Sequence, residues 1–420
     1  MTGARMTGAA AVPCIVLGLE SQIGLALVRE LGRAGVPVIG IAHSADELGL
    51  ASRHLAERIV VAERRGPALL AAIRAIGERF GSATLVTVSE ANLTWLAAHR
   101  AEIAPVAALV PRPEQLALAL DKARTLGLAR ELGVPVPATW QPQSMAEAHA
   151  LRPDAFPVVL KWPDPAAVMA ALRAAGLPLH KAEFVLDLDA LRAALARYEP
   201  VGRWPLVLRY ARGQGLGQFF FMHEGRVLRS FQHRRIAEWP PEGGFSSVCD
   251  AVPLAEHRAL QAQSVRLLQA MRWEGVAMVE YRFDGATGHA ELMEVNGRFW
   301  GSLPLAVHAG AGFALLAHFM QGQGVMPPLG PLRDDLRCRM VATELKRLER
   351  IVLHPERIED PMFEARPAAE VWRFGRDFFS PRSRYYLWSI DDPRPFWADL
   401  RNVVRNALRN AARRARERRR

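Results

Sequence analysis

Residues 275–301, GVAMVEYRFDGATGHAELMEVNGRFWG, constrain the fold more than any other part of the chain. Two runs of alternating apolar residues flank Asp284-Gly285-Ala286-Thr287-Gly288, a cluster of turn formers, and their β-branched and aromatic residues favour strands. The spacing predicts a β-hairpin. If pairing is centred near Thr287, Glu280 faces Glu294, and the period of two puts Glu294, Asn296 and Arg298 on the same side, with Arg282 a candidate fifth member. Opposed carboxylates on a half-buried sheet repel unless a cation lies between them. A divalent metal resolves the conflict. Mg²⁺ takes oxygen ligands, commonly one or two carboxylates with phosphate oxygens, and an Asn carbonyl suits that shell. Arg298 is suited to bidentate recognition of a phosphate or carboxylate. Pattern alone leaves a rival open: a solvated amphipathic hairpin with a surface salt bridge from Arg298 to one glutamate.

The run Glu294-Val295-Asn296-Gly297-Arg298-Phe299-Trp300-Gly301-Ser302-Leu303, preceded by Gly275-Val276-Ala277-Met278-Val279-Glu280, resembles the metal-binding strands of the ATP-grasp superfamily. It looks most like the carboxylate–amine ligase branch. The resemblance runs from about residue 14 to about residue 321; its hairpin is specific and its N-terminal part generic. It implies an α/β chain, with an α+β ATP-grasp portion. The implied order is a Rossmann-like domain over 1–112, a two-lobed ATP-grasp domain over 113–325 with a lid at about 138–205, and a C-terminal extension over 326–420 ending in a basic helix. It also implies ATP and Mg²⁺, or Mn²⁺, with Glu280, Glu294 and Asn296 as metal ligands and Glu280 and Glu294 contributing to nucleotide binding.

Other segments fit that frame. In Pro111-Arg112-Pro113 the chain marks a boundary, and residues 114–132 have helical periodicity before Gly133-Val134-Pro135-Val136-Pro137 ends it. On spacing alone Lys122 is a solvated helix lysine. The resemblance makes it a phosphate contact. Phe156-Pro157-Val158-Val159-Leu160-Lys161 reads as a buried strand, and the resemblance gives its terminal lysine, Lys161, to the ATP phosphates and to catalysis, together with Arg298. Many members of the superfamily follow this strand with a glycine-rich flap, whereas here Trp162-Pro163-Asp164-Pro165 and an Ala-rich helix follow. A lid helix is expected over residues 187–196, and Lys181 is a candidate source of further charge. Residues 205–213 align with the hinge strand that holds adenine through backbone groups, which assigns Leu208, Arg209, Tyr210 and Ala211 to the nucleotide. Gly213, Gly215 and Gly217 suggest a tight turn into a strand over residues 218–222.

Candidate substrate contacts lie elsewhere. Residues 13–18, 21–34 and 36–41 read strand, helix, strand, the unit of a parallel sheet, with Gly18 and Gly24 at its turn. GLESQIG lacks the G-x-G-x-x-G spacing, so a dinucleotide enzyme is not expected. A strand over residues 83–88 ends in Ser89 and Glu90, which are substrate candidates at a carboxyl edge, though Ser89 reads equally well as a helix cap. Arg234 and Arg235 fall in a polar, Gly/Pro-rich segment over residues 233–247 that reads as a loop, and the resemblance places one of them against an acidic substrate group. Helices are expected over residues 254–273 and 302–317, with His308 a packing residue.

Composition narrows the class. With 420 residues, half of them hydrophobic and 23% charged, the chain is ordinary globular material for two or three domains. Net charge is +11, but nine Arg against Asp399 and Glu417 give residues 398–420 a balance of +7. The basicity belongs to the tail, so nucleic-acid binding is not expected. Phe396, Leu400, Val403, Val404, Ala407, Leu408 and Ala411 form one helical stripe opposite Arg401, Arg405 and Arg409. Such a helix suits an anionic membrane surface, a partner or its own protein. Cys14, Cys249 and Cys338 have no metal or disulfide spacing, which suits a reducing cytosol, and no apolar run reaches the roughly 18 residues of a spanning helix. The repeated MTGAR-MTGAA makes Met6 a candidate start, with the first ten residues expected to be disordered.

The function implied by the resemblance is an ATP- and Mg²⁺-dependent ligase that joins a carboxylate to an amine through an acyl phosphate, releasing ADP and phosphate. A small-molecule kinase and a non-catalytic ATP-binding sensor or scaffold remain alternatives. A cytoplasmic location, with or without peripheral membrane contact, and a homodimer are compatible with this reading.

Overall fold

The computed structural model describes residues 11–417; the expectations for Met6 and for the first ten residues lie outside them. Five short strands open the chain: β1 (Cys14–Leu17), β2 (Val38–Ala42), β3 (Leu55–Val60), β4 (Ala83–Thr87) and β5 (Val106–Ala108). They form a parallel sheet in the order β3-β2-β1-β4-β5. Helices cover both faces, so β1, β2 and β4 are buried throughout, as their continuous apolar runs require. The β1 turn depends on two glycines. Gly18 has a φ of +114°, and a Cβ on it would lie 2.2 Å from Val88 Cγ2; one on Gly24 would lie 2.2 Å from the Gly18 carbonyl oxygen. Ser21 then caps the helix Gln22–Arg33 by accepting from the Gly24 N–H. The glycines serve close packing.

A smaller four-stranded sheet follows, from β6 (Thr139–Trp140), β7 (Val158–Lys161), β8 (Glu183–Val185) and β9 (Leu206–Arg209), in the order β6-β9-β7-β8. Helices Met145–Ala150, Pro165–Ala174 and Leu188–Ala196 give it its own core, around Leu160, Trp162, Leu191, Leu195 and Val207. β7 ends at Lys161 as expected. Asp164 caps the Ala-rich helix after it, accepting from the N–H groups of Ala166 and Ala167.

The third sheet is built from β10 (Gln214–His223), β11 (Arg226–Trp239), β12 (Phe245–Ala251), β13 (Gly275–Phe283), β14 (Ala290–Asn296), β15 (Arg337–Arg339) and β16 (Ser383–Tyr385). Its order is β14-β13-β10-β11-β12-β15-β16, antiparallel except for the last pair. The expected hairpin is β13–β14, with Glu280 opposite Glu294. The last two strands come from the C-terminal extension, so the expected boundary at residue 325 falls between strands of one sheet.

Four expectations need correction. Residues 233–247 are not a loop: Arg234 and Arg235 lie within the 14-residue β11, and the turn to β12 takes only residues 240–244. The strand's arginines and the Gly/Pro-rich turn beside it imitate loop composition, but neighbours on both edges satisfy this backbone. The helix expected over 114–132 breaks into Pro113–Leu120 and Lys122–Glu131 at Asp121, whose extended backbone lets its carboxylate accept from the Arg124 N–H. The helix over 302–317 divides into Leu303–His308 and Phe313–Leu315, with a π-helix over Leu316–Gln321, because Gly310 and Gly312 both adopt positive φ. Residues 254–273 form a 3-10 turn, Leu254–His257, and the helix Arg258–Ala270.

Candidate active site

Antiparallel pairing places Glu280 and Glu294 on one face, and cations from three other elements reach them. Lys122, at the first turn of its helix, donates to Glu294 Oε2 at 3.0 Å, and the Asn296 amide donates to Glu294 Oε1 at 2.9 Å. Arg235 on β11 donates to Glu280, to Glu238 at 2.8 Å and to the Gly244 carbonyl at 3.0 Å. Arg282 on β13 lies 3.3 Å from the other oxygen of Glu238. Room for the Arg235 side chain is made by Gly215, where a Cβ would lie 2.5 Å from Arg235 Cδ. Lys161, projecting from the lid strand β7, faces Lys122, Glu294, Arg282 and Glu280.

The electrostatics separate the two central glutamates. Lys122 above all holds the Glu294 carboxyl well below the usual carboxylate range, against the effect of burial. Burial raises Glu280 above its ordinary value despite the Arg235 guanidinium. For Lys161, burial and then the Lys122 ammonium bring the amine down to about 8, with Glu294 opposing. Such a cleft favours an incoming polyanion, which relieves the repulsion among its cations.

The cluster's donors suit a hard divalent ion. Two in-register carboxylates and an amide oxygen match a Mg²⁺ shell completed by phosphate and water. The Lys122 ammonium sits on Glu294, as a positive charge is expected to do there. No group of three or more His, Cys, Asp or Glu side chains with metal-binding geometry occurs among the described residues.

The other expected residues divide. Arg298 Nε donates to Glu90 Oε1 at 3.0 Å, which brings the hairpin and the parallel sheet together at the cleft. Ser89 is occupied as a helix cap, accepting from the Asn92 N–H, so its cap reading is the one realised. Arg234 is exposed on the opposite face of β11 from Arg235 and takes no part in the cluster; strand alternation separates the two neighbours. In the hinge, Leu208 is buried in the lid sheet. The N–H groups of Arg209 and Tyr210 donate to the carbonyls of Ala138 and Pro157 at 2.8 and 3.2 Å. Those two N–H groups are therefore committed within the protein and are not free to donate to adenine, as the sequence reading expected of Arg209 and Tyr210.

Several residues were not anticipated. Arg209 forms an ion pair with buried Glu291 on β14. Simple alternation hides Glu291, because the register shifts between Glu280 and Tyr281, leaving Met293 as the extra residue and Glu291 opposite Arg282. Arg209, Glu291, Phe156, Tyr210 and Arg282 line a cavity of about 220 Å³ between lid and central sheet. A neighbouring cavity of about 340 Å³ shares Tyr210, Arg212 and Arg282 and is lined on another side by Asp360, Met362, Phe363 and Glu364 of the C-terminal extension. Tyr210 donates to Asp360 at 2.9 Å. Nothing in the local pattern of residues 360–364 signals this role, since the segment meets the hinge only through tertiary contact.

No protein-family model and no curated protein matches the sequence. Solved structures do. An L-amino acid ligase from Bacillus licheniformis superposes with a TM-score of 0.53 at 15% identity, covering 74% of each chain. The biotin carboxylase domain of 2-oxoglutarate carboxylase from Hydrogenobacter thermophilus, a dimer solved with MgADP and bicarbonate, gives 0.59 at 13% identity, covering 77% of this chain and 73% of that one. An N5-carboxyaminoimidazole synthetase from Staphylococcus aureus gives 0.55 at 11% identity over 78% and 81%. The chain has an ATP-grasp fold. At these identities the likeness is one of architecture. The ATP-grasp arrangement here comprises the parallel sheet, the small lid sheet and the large antiparallel sheet carrying the acidic hairpin.

Proposed function

We propose that this protein is an ATP-dependent ligase that joins a carboxylate to an amine through an acyl phosphate, with release of ADP and phosphate. The observation that carries the reading is the convergence of Glu280, Glu294 and Asn296 with Lys122 and Lys161 between lid and central sheet. The similar solved structures support it in kind: one is an amino acid ligase, and another was solved with MgADP.

In this reading the cavity beside Arg209 and Glu291 receives the nucleoside, and Lys122 and Lys161 bind its phosphates. Mg²⁺, held by Glu280, Glu294 and Asn296, would supply charge neutralisation at the phosphate oxygens. The γ-phosphoryl group passes to a carboxylate oxygen of the substrate, breaking the bond to ADP. The amine then attacks the acyl carbon and expels phosphate, and its proton is lost to solvent. Phosphoryl transfer asks little covalent chemistry of a protein, so positioned charge is the main contribution. In this reading Arg298 exchanges its Glu90 contact for the substrate and steadies charge on the transferring group or on the acyl phosphate.

One observation favours a non-catalytic nucleotide sensor: both central carboxylates already have protein cations, Lys122 and Arg235. Turnover decides between the readings. With ATP, Mg²⁺ and pooled carboxylates and amino acids, hydroxylamine should trap the acyl phosphate as hydroxamate alongside ADP. A stable phosphorylated product without hydroxamate would support a kinase instead. Glu294→Gln should cut turnover by roughly a thousandfold with little change in the urea midpoint; a fully active variant sinks the metal assignment.

A further inference from the structure

We propose that the C-terminal helix docks the protein on an anionic lipid surface through an apolar face that the fold leaves uncovered. Helix Arg394–Glu417 is about 36 Å long at 1.5 Å per residue. It is seated on the parallel-sheet domain through its polar side: Arg405 donates to the Asp46 carboxylate at 2.6 Å, and Asn402 donates to the Asp46 carbonyl at 2.7 Å. Four apolar side chains of the helix face the other way. Trp397, Leu400, Val403 and Val404 are 57, 42, 47 and 51% exposed. An amphipathic helix that packs on its own protein ordinarily buries its apolar side. This one buries part of its polar side.

The N-terminal turn is held firmly enough to orient that face. Phe396 packs on the main core, and its ring lies 5.5 Å from Trp388, whose indole lies 6.4 Å from that of Trp397. Indoles with one apolar and one polar edge suit the boundary between headgroups and acyl chains.

Charge selects the occupant. The helix carries Arg394, Arg401, Arg405, Arg409, Arg413, Arg414 and Arg416 against Asp399 and Glu417 only. A second copy would bring two cationic helices together at the cost of like-charge repulsion. A nucleic acid would satisfy the arginines but leave Trp397, Leu400, Val403 and Val404 without a role. An anionic bilayer accepts both, taking the stripe into its interface while the arginines reach phosphates. Among the described residues no helix is long and apolar enough to cross a membrane, so the contact is peripheral.

Co-sedimentation of the full chain tests this. The wild type should pellet with vesicles of equal phosphatidylcholine and phosphatidylglycerol at low salt, be released at high salt, and stay in solution with pure phosphatidylcholine. The Leu400→Glu/Val404→Glu variant should lose roughly a hundredfold in vesicle affinity with an unchanged urea midpoint. Equal binding to both vesicles, unchanged binding by the variant, or no binding to either overturns the proposal. A dimer seen by velocity sedimentation and abolished by the same substitutions would instead give the face to a second copy.

Discussion

Lys161, proposed to bind phosphate, is kept charged at some cost to stability. Its amine titrates near 8, against an ordinary 10.5. Between those values the unfolded chain holds more protons than the folded one, so the stability of the ligand-free protein should rise with pH from about 8 towards 10.5. Below that window the full penalty of a buried, ionised lysine near Lys122 is present. Lys161→Met is therefore expected to raise the Tm of the ligand-free protein by a few degrees at pH 7, an advantage that shrinks as pH rises. The same substitution should weaken ATP binding by roughly tenfold or more, because a point charge facing the phosphates is lost. Scanning fluorimetry and titration calorimetry read the two effects separately. For the wild type, ATP affinity should fall as pH passes about 8, with proton uptake on binding. Strand pattern alone placed Lys161 at the end of β7. Its neighbours Lys122 and Glu294 lie 39 and 133 residues away along the chain, and no local pattern contains them.

Periodic elements were legible where one physical rule dominated. Turn formers between alternating runs suffice to predict the β13–β14 hairpin and the facing of Glu280 with Glu294. The bulge at Met293 was not legible, since a one-residue register shift leaves no compositional trace, and with it Glu291 was missed. β11 was misread for the opposite reason: its Arg, Gly and Pro-rich surroundings resemble a loop, while pairing with β10 and β12 overrides that preference. The β1 turn is a firmer case. Because a Cβ on Gly24 would meet a backbone carbonyl at 2.2 Å, Gly24→Ala should destabilise the protein by about 3 kcal/mol through overpacking. Urea unfolding checks this. An unchanged midpoint would mean that the helix Gln22–Arg33 can shift away from the strand.

Across the molecule, the C-terminal extension completes the central sheet and clamps it to the N-terminal domain. Asp392 is fully buried, accepting from Arg29 Nε at 3.0 Å, Ser52 Oγ at 2.7 Å and the Arg53 N–H at 3.0 Å. Burial alone would raise its pKa, but these donors, first the Arg53 N–H, keep it below the ordinary value. Its contribution to stability is present above the unfolded carboxyl range and lost as pH falls through the folded value. Asp392→Ala should cost about 3–5 kcal/mol, because Arg29 is left buried without its counter-charge. A urea midpoint within error of wild type would show that Arg29 finds water or another partner. Near-neighbour patterning was enough to specify strands, the hairpin and its opposed acids, because side-chain period and turn chemistry act over a few residues. It could not specify that Arg235 and not Arg234 reaches Glu280, that residues 360–364 wall the second cavity, or that the last helix turns its apolar face outward. Those outcomes depend on contacts between segments far apart in sequence, where packing and charge pairing decide the arrangement.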